Sequence, residues 1–158
     1  SRPGDFIVKK GRREPFLTAS CVRRAAPDTF FAGGEFMLDC LAVGLGGFAG
    51  SVLRYLAGRL PLQSPEGFPY VTLMINVLGS FAIGLIAAVA AKHADIDPRL
   101  VLFLRVGLCG GFTTFSTFSS ETFSLLRAGS YGGAAAYVLL SVLLGVLAVF
   151  LAHALVKA

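Results

Sequence analysis

Four long apolar stretches separated by short polar segments dominate the chain. They cover residues 38–60, 70–91, 100–126 and 134–156. A helix of about 20 apolar residues crosses the roughly 30 Å hydrocarbon layer of a bilayer, and each stretch reaches that length. The connections read RLPLQSPEGFP, KHADIDPR and RAGSYGG; the first is proline-rich, and Pro98 in the second is placed to start a helix. Only helices and closed barrels satisfy their backbone polar groups in lipid. The two-residue alternation of barrel strands is missing from these runs. The pattern therefore predicts an all-α membrane protein with four transmembrane helices.

Composition agrees with the pattern. Hydrophobic residues make up 55% of the chain and charged ones 15%, where soluble domains carry about 25% charge. The glycines sit largely inside apolar runs, where small side chains let helix backbones approach closely. Of the net charge of +5, residues 1–36 hold +3, from seven Lys/Arg and four Asp/Glu. The basic balance thus gives no reason to expect a nucleic-acid partner. That segment lacks a sustained period and an apolar core fit for a signal peptide. It is Arg-rich like a mitochondrial presequence, but Asp5, Glu14, Asp28 and Glu35 argue against one. Met37 immediately precedes the first apolar run. Residues 1–36 are accordingly expected to be an N-terminal extension, disordered or non-native, and 37–158 the four-helix domain.

Four spans put both termini and the 92–99 connection on one side. After Met37 that side carries Lys92, Arg99 and Lys157, and the other carries Arg59 and Arg127. Three against two is almost no positive-inside bias. Such a chain fits insertion in both orientations and an antiparallel homodimer; if the N-terminal basic residues decide, it inserts in one. Cys21, Cys40 and Cys109 have neither the number nor the spacing of a disulfide framework or zinc site. His93 and His153 have no evident partners.

The third stretch, RLVLFLRVGLCGGFTTFSTFSSETFSLL, carries most of the candidate chemistry. Gly110 and Gly111 followed by Thr113 and Thr114 make a poor helix interior, since Gly costs roughly 1 kcal/mol relative to Ala there. This predicts a break near 110–113, at about mid-membrane; the plainer reading is a glycine kink used for packing. A break leaves carbonyls at the end of one half-helix and amides at the start of the next. Carbonyls suit a cation, and a helix N-terminus suits an anion. Beyond it, Phe115 and Phe118 share a face, extended by Glu121. Ring edges carry partial positive charge and can face an anion. Glu121 is either an intramembrane functional carboxylate or an interfacial one that snorkels.

The other helices add neutral polar groups. Thr72, Asn76 and Ser80 form a stripe at spacings of four, and Asn76 either donates to an anion or bonds a neighbouring helix. Tyr137, Ser141 and Gly145 share a face on the fourth helix. Gly46 and Gly50 suit tight helix contact. Arg54 either draws anions into a vestibule or snorkels to headgroups. Hydroxyls, an amide and phenyl edges with little charge suit a small, strongly hydrated anion, and no nucleophile–base pair or metal-ligand cluster points to an enzyme.

GLGGFAGSVLRY, TLMINVLGSFAIG and GLCGGFTTFSTFSSE, in that order, resemble the Fluc/CrcB family of bacterial fluoride channels over residues 41–156. The resemblance implies a dual-topology antiparallel homodimer in the cell (inner) membrane, with two pores that pass fluoride by electrodiffusion and lower cytoplasmic fluoride. It implies a structural Na+ at the dimer centre, held by the main-chain carbonyls of Gly110 and Thr113. By motif, Phe115, Phe118 and Asn76 would line the pore. Thr117, Glu121, Tyr137 and Ser141 would form the track beyond them. Gly145 departs from the hydroxyl that many relatives have there.

Three rival readings remain. A small multidrug-type transporter needs an acidic residue in the first span, where this chain has Arg54. A proton-coupled fluoride or anion antiporter would use Glu121 as its proton carrier. A structural subunit of a membrane complex needs neither polar stripes nor a broken helix.

Overall fold

The computed structural model describes residues 34–61, 67–93 and 95–157. Among them the ordered elements are all helical: α1 (Gly34–Ala57), α2 (Tyr70–Lys92), α3 (Pro98–Leu102), a π-helical turn (Phe103–Cys109), α4 (Gly110–Phe112), α5 (Phe115–Arg127) and α6 (Tyr131–Lys157). The elements from α3 to α5 form one span, Pro98–Arg127, so four segments are long and apolar enough to cross a bilayer. The expected extension lies outside the described residues up to 33. Gly34, Glu35 and Phe36 already belong to α1, which starts four residues before the expected 38.

Local chemistry explains several ends. Asp97 caps α3, its carboxylate accepting from the Arg99 amide at 2.8 Å, with Pro98 in the first turn. Gly129, with φ +74°, closes the turn between α5 and α6. At the other face of the membrane, Arg99 pairs with Glu35 at 3.4 Å and Asp39 at 3.2 Å, tying the start of α1 to α3. Nearby, Lys92 Nζ donates to the Val156 carbonyl at 2.9 Å, joining the ends of α2 and α6.

Two helix pairs make the bundle: α2 packs along α6, and α1 packs along the third span. The second pair depends on glycine. A Cβ at Gly46 or Gly50 would collide with the backbone of Phe103 or Leu108, so the axes meet at a distance that no larger side chain allows. The core proper is small, with Leu73, Leu125, Ala134 and the fully buried Tyr137 packed against Phe68, Val77 and Phe118. Large apolar side chains such as Leu45, Phe48, Leu139, Leu143 and Phe150 point outward. In water such a surface is untenable, and in lipid it is the solvated face. The chain is a multi-pass membrane protein.

Candidate functional site

The third span is interrupted in mid-membrane. Helical geometry persists through Gly110–Phe112; Thr113 (φ −76°, ψ 158°) and Thr114 (φ −149°, ψ 117°) are then extended, and α5 starts at Phe115. The interruption thus falls at the end of the expected 110–113 window and extends one residue past it. Both threonines are tied down. Thr113 sends its amide (3.0 Å) and its hydroxyl (2.9 Å) to the Cys109 carbonyl, closing the first half-helix. Thr114 caps the second, its Oγ1 accepting from the Thr117 amide at 3.2 Å and donating to Thr117 Oγ1 at 3.0 Å.

Asn76 holds the break from the neighbouring helix. Its Oδ1 accepts from the Thr114 amide at 2.8 Å and its Nδ2 donates to the Thr114 carbonyl at 3.1 Å, as a paired peptide group would. Of the two roles open to Asn76, the interhelical bond is therefore present. A carboxamide nitrogen carries two donor hydrogens, so a second one is left for a ligand.

These bonds redirect the carbonyls at the break. In a continuous helix the Thr114 amide would close on Gly110, and the Thr117 amide on Thr113. The first goes to Asn76 and the second to Thr114 Oγ1. Gly110 and Thr113 thereby lose their helical donors and can offer carbonyl oxygens to a cation. Arg54 Nε donates to the Gly111 carbonyl at 3.1 Å, replacing the amide that carbonyl loses. Arg54 is thus anchored to the break as well as charged. Among the described residues, no cluster of His, Cys, Asp and Glu could hold a metal.

A cavity of about 360 Å³ opens beside the break, lined by Asn76, Ser80, Cys109, Gly110, Thr113, Phe115, Phe118 and Ser141 among others. Ser141 Oγ is buried there without a partner among the described residues. The phenyl rings of Phe115 and Phe118 lie 5.7 Å apart, but Phe115 is 79% exposed while Phe118 stacks on Tyr137 at 5.1 Å. Glu121 lines a second cavity, about 480 Å³, with Thr72 and the α5–α6 turn. Both its oxygens are engaged: Thr72 donates to Oε1 at 2.8 Å and Tyr137 to Oε2 at 2.7 Å. The carboxylate is therefore held between α2 and α6.

The structure thus gathers Asn76, Gly110, Thr113, Phe115, Phe118 and Ser141 around one cavity. It sets Glu121 in the other and buries Tyr137 between Glu121 and Phe118. Thr117 serves the cap of α5 and lines neither cavity. The serines near the phenylalanines contribute less than their number promises. Ser119 and Ser124 return their hydroxyls to the carbonyls of Phe115 and Ser120 at 2.9 Å, within their own helix. Thr72 and Ser80 were visible as members of the α2 stripe; the structure adds them to the two cavities.

The comparisons with known proteins fit this geometry. Residues 41–153 match the family described as CrcB-like protein, Camphor Resistance (CrcB). The chain belongs to the CrcB family. The Fluoride-specific ion channel FluC of Rhizobium meliloti (strain 1021) is 45% identical over 123 residues, 77% of this chain and 98% of its own length. The protein of that name from Chlorobaculum tepidum is 48% identical over 102 residues, 65% of this chain and 81% of its own. The one from Rhodospirillum centenum is 45% identical over 118 residues, 74% of this chain and 94% of its own.

Proposed function

We propose that this chain is a fluoride-selective channel of the cell (inner) membrane that lets fluoride leave the cytoplasm passively. The observation that carries the reading is the cavity beside the break, lined by uncharged donors and two phenylalanines, in a chain similar over most of its length to proteins named fluoride channels. A fluoride ion entering it must shed water. The free hydrogen of Asn76 Nδ2 and the Ser80 and Ser141 hydroxyls are placed to replace that water. Phe115 and Phe118 line the same cavity, and phenyl edges carry the partial positive charge that an anion can face. Thr117, Tyr137 and Glu121 extend the polar line toward the second cavity.

The channel is an antiparallel pair of copies. Gly44, Gly47 and Gly110 support this: a Cβ on any of them would meet nothing within 4 Å, which leaves room for a partner. The balanced loop charge supports insertion both ways. A structural Na+ at the centre would supply positive charge close to the anion path, and the Gly110 and Thr113 carbonyls, stripped of their helical donors, are fit to hold it. Arg54 flanks the same segment.

The test is efflux from fluoride-loaded liposomes. The reading expects rapid loss once charge is compensated, without a pH gradient and with chloride retained. Efflux that demands a proton gradient would replace it with a coupled antiporter.

A further inference from the structure

Arg105 stands apart from the other basic residues. Among those described, Arg54, Lys92 and Arg99 hold acceptors, and Arg59, Arg127 and Lys157 are exposed at the ends of spans. Arg105 lies seven residues into the third span, about 10 Å along the axis at roughly 1.5 Å per residue. It is half-buried, and its Nε is sealed from solvent with no hydrogen-bond partner among the described residues. A cation at that depth is costly and calls for a counter-ion.

Its position indicates which one. Arg105 sits in the π-helical turn and shares a face with Cys109, one turn on. Cys109 lines the cavity beside the break. Glu121 lines the other cavity, beyond Phe118, and its oxygens already accept from Thr72 and Tyr137. Arg105 thus lies one turn from a wall residue of the first cavity, and Glu121 belongs to the second.

We propose that Arg105 is an anion-capture residue for the channel, drawing fluoride electrostatically toward the cavity from behind its Cys109 wall. This deepens the channel reading and rests on it. The guanidinium raises the local anion concentration, so its effect is greatest when fluoride is scarce.

The experiment measures fluoride flux against fluoride concentration for the full chain in neutral phosphatidylcholine vesicles and in vesicles containing phosphatidylglycerol. The expected result is a loss of roughly tenfold in R105Q at low fluoride, on the scale of electrostatic focusing in clefts, that narrows at saturating fluoride in both lipids. R105K should keep most of the low-fluoride flux. Equal wild-type and R105Q flux at low fluoride overturns the proposal. So does a deficit seen only with phosphatidylglycerol, which would make Arg105 an anchor for lipid phosphate. If R105Q does not assemble, R105M, which keeps the length of the side chain without its charge, is read by the same outcomes: a low-fluoride deficit in both lipids supports the proposal, and flux equal to wild type overturns it. Wild-type protein that passes no fluoride overturns this role and the channel reading together, whereas a conducting wild type matched by R105Q removes only the role of Arg105.

Discussion

Replacing Asn76 by aspartate separates holding the break from passing an anion. Asn76 accepts the Thr114 amide through Oδ1 and donates to the Thr114 carbonyl through Nδ2. The aspartate side chain would keep the acceptor for the Thr114 amide but set an oxygen against the Thr114 carbonyl, so one of the two bonds is lost, at a cost of at least about 1 kcal/mol, and the other still holds the break. The new charge acts on the anion instead. A carboxylate about 4 Å from a fluoride ion in the cavity repels it by about 4 kcal/mol at an effective dielectric constant of about 20. At about 1.4 kcal/mol per decade, fluoride flux should fall by roughly a thousandfold. Asn76→Leu is the complement: it adds no charge but strands the Thr114 amide in the membrane, which costs about 1–3 kcal/mol. Liposome efflux at neutral pH and thermal unfolding in detergent read the two effects. The reasoning is refuted if N76D conducts like wild type, or if N76L is no less stable than N76D.

Further outcomes follow from other contacts. Gly50→Ala drives a methyl into the Leu108 backbone and within 2.8 Å of the Phe112 amide, so it should cost at least about 1–3 kcal/mol of stability. Gly145→Ala, whose Cβ meets only Ser80 Oγ at 3.5 Å, should leave the melting temperature nearly unchanged. Tyr137→Phe removes the 2.7 Å bond to Glu121 and should cost about 1 kcal/mol and lower fluoride flux, read by melting and efflux together. Replacing Na+ by a large organic cation should shift the protein from dimer to monomer, as counted by single-molecule photobleaching, if the Gly110 and Thr113 carbonyls hold the ion.

The spans were legible because length and apolarity are local properties of the chain, and the observed helix limits fall within four residues of those expected. The break was legible in kind, from two glycines and two threonines, but not in place. Glycine alone did not end the helix, which runs on through Phe112. The ladder opens where Asn76, 38 residues away, takes the Thr114 amide, and no local pattern encodes that bond. The same limit hid the acceptor of Arg54 and the two donors on Glu121. Phe115 and Phe118 were correctly placed near each other by their spacing, yet their different exposure depends on Phe115 starting α5 directly after the break. Arg105 had a signal, a single charge inside an apolar run. The π-helical turn that carries it packs closely against Gly46 and has no local signature.

The most direct test of the channel account is the reversal potential of purified protein in a planar bilayer with fluoride as the sole gradient. A tenfold gradient should give a reversal near the fluoride equilibrium value, about 59 mV in magnitude, unmoved by a superimposed chloride or proton gradient. A reversal potential that follows chloride or pH, or a bilayer that stays silent, would contradict it.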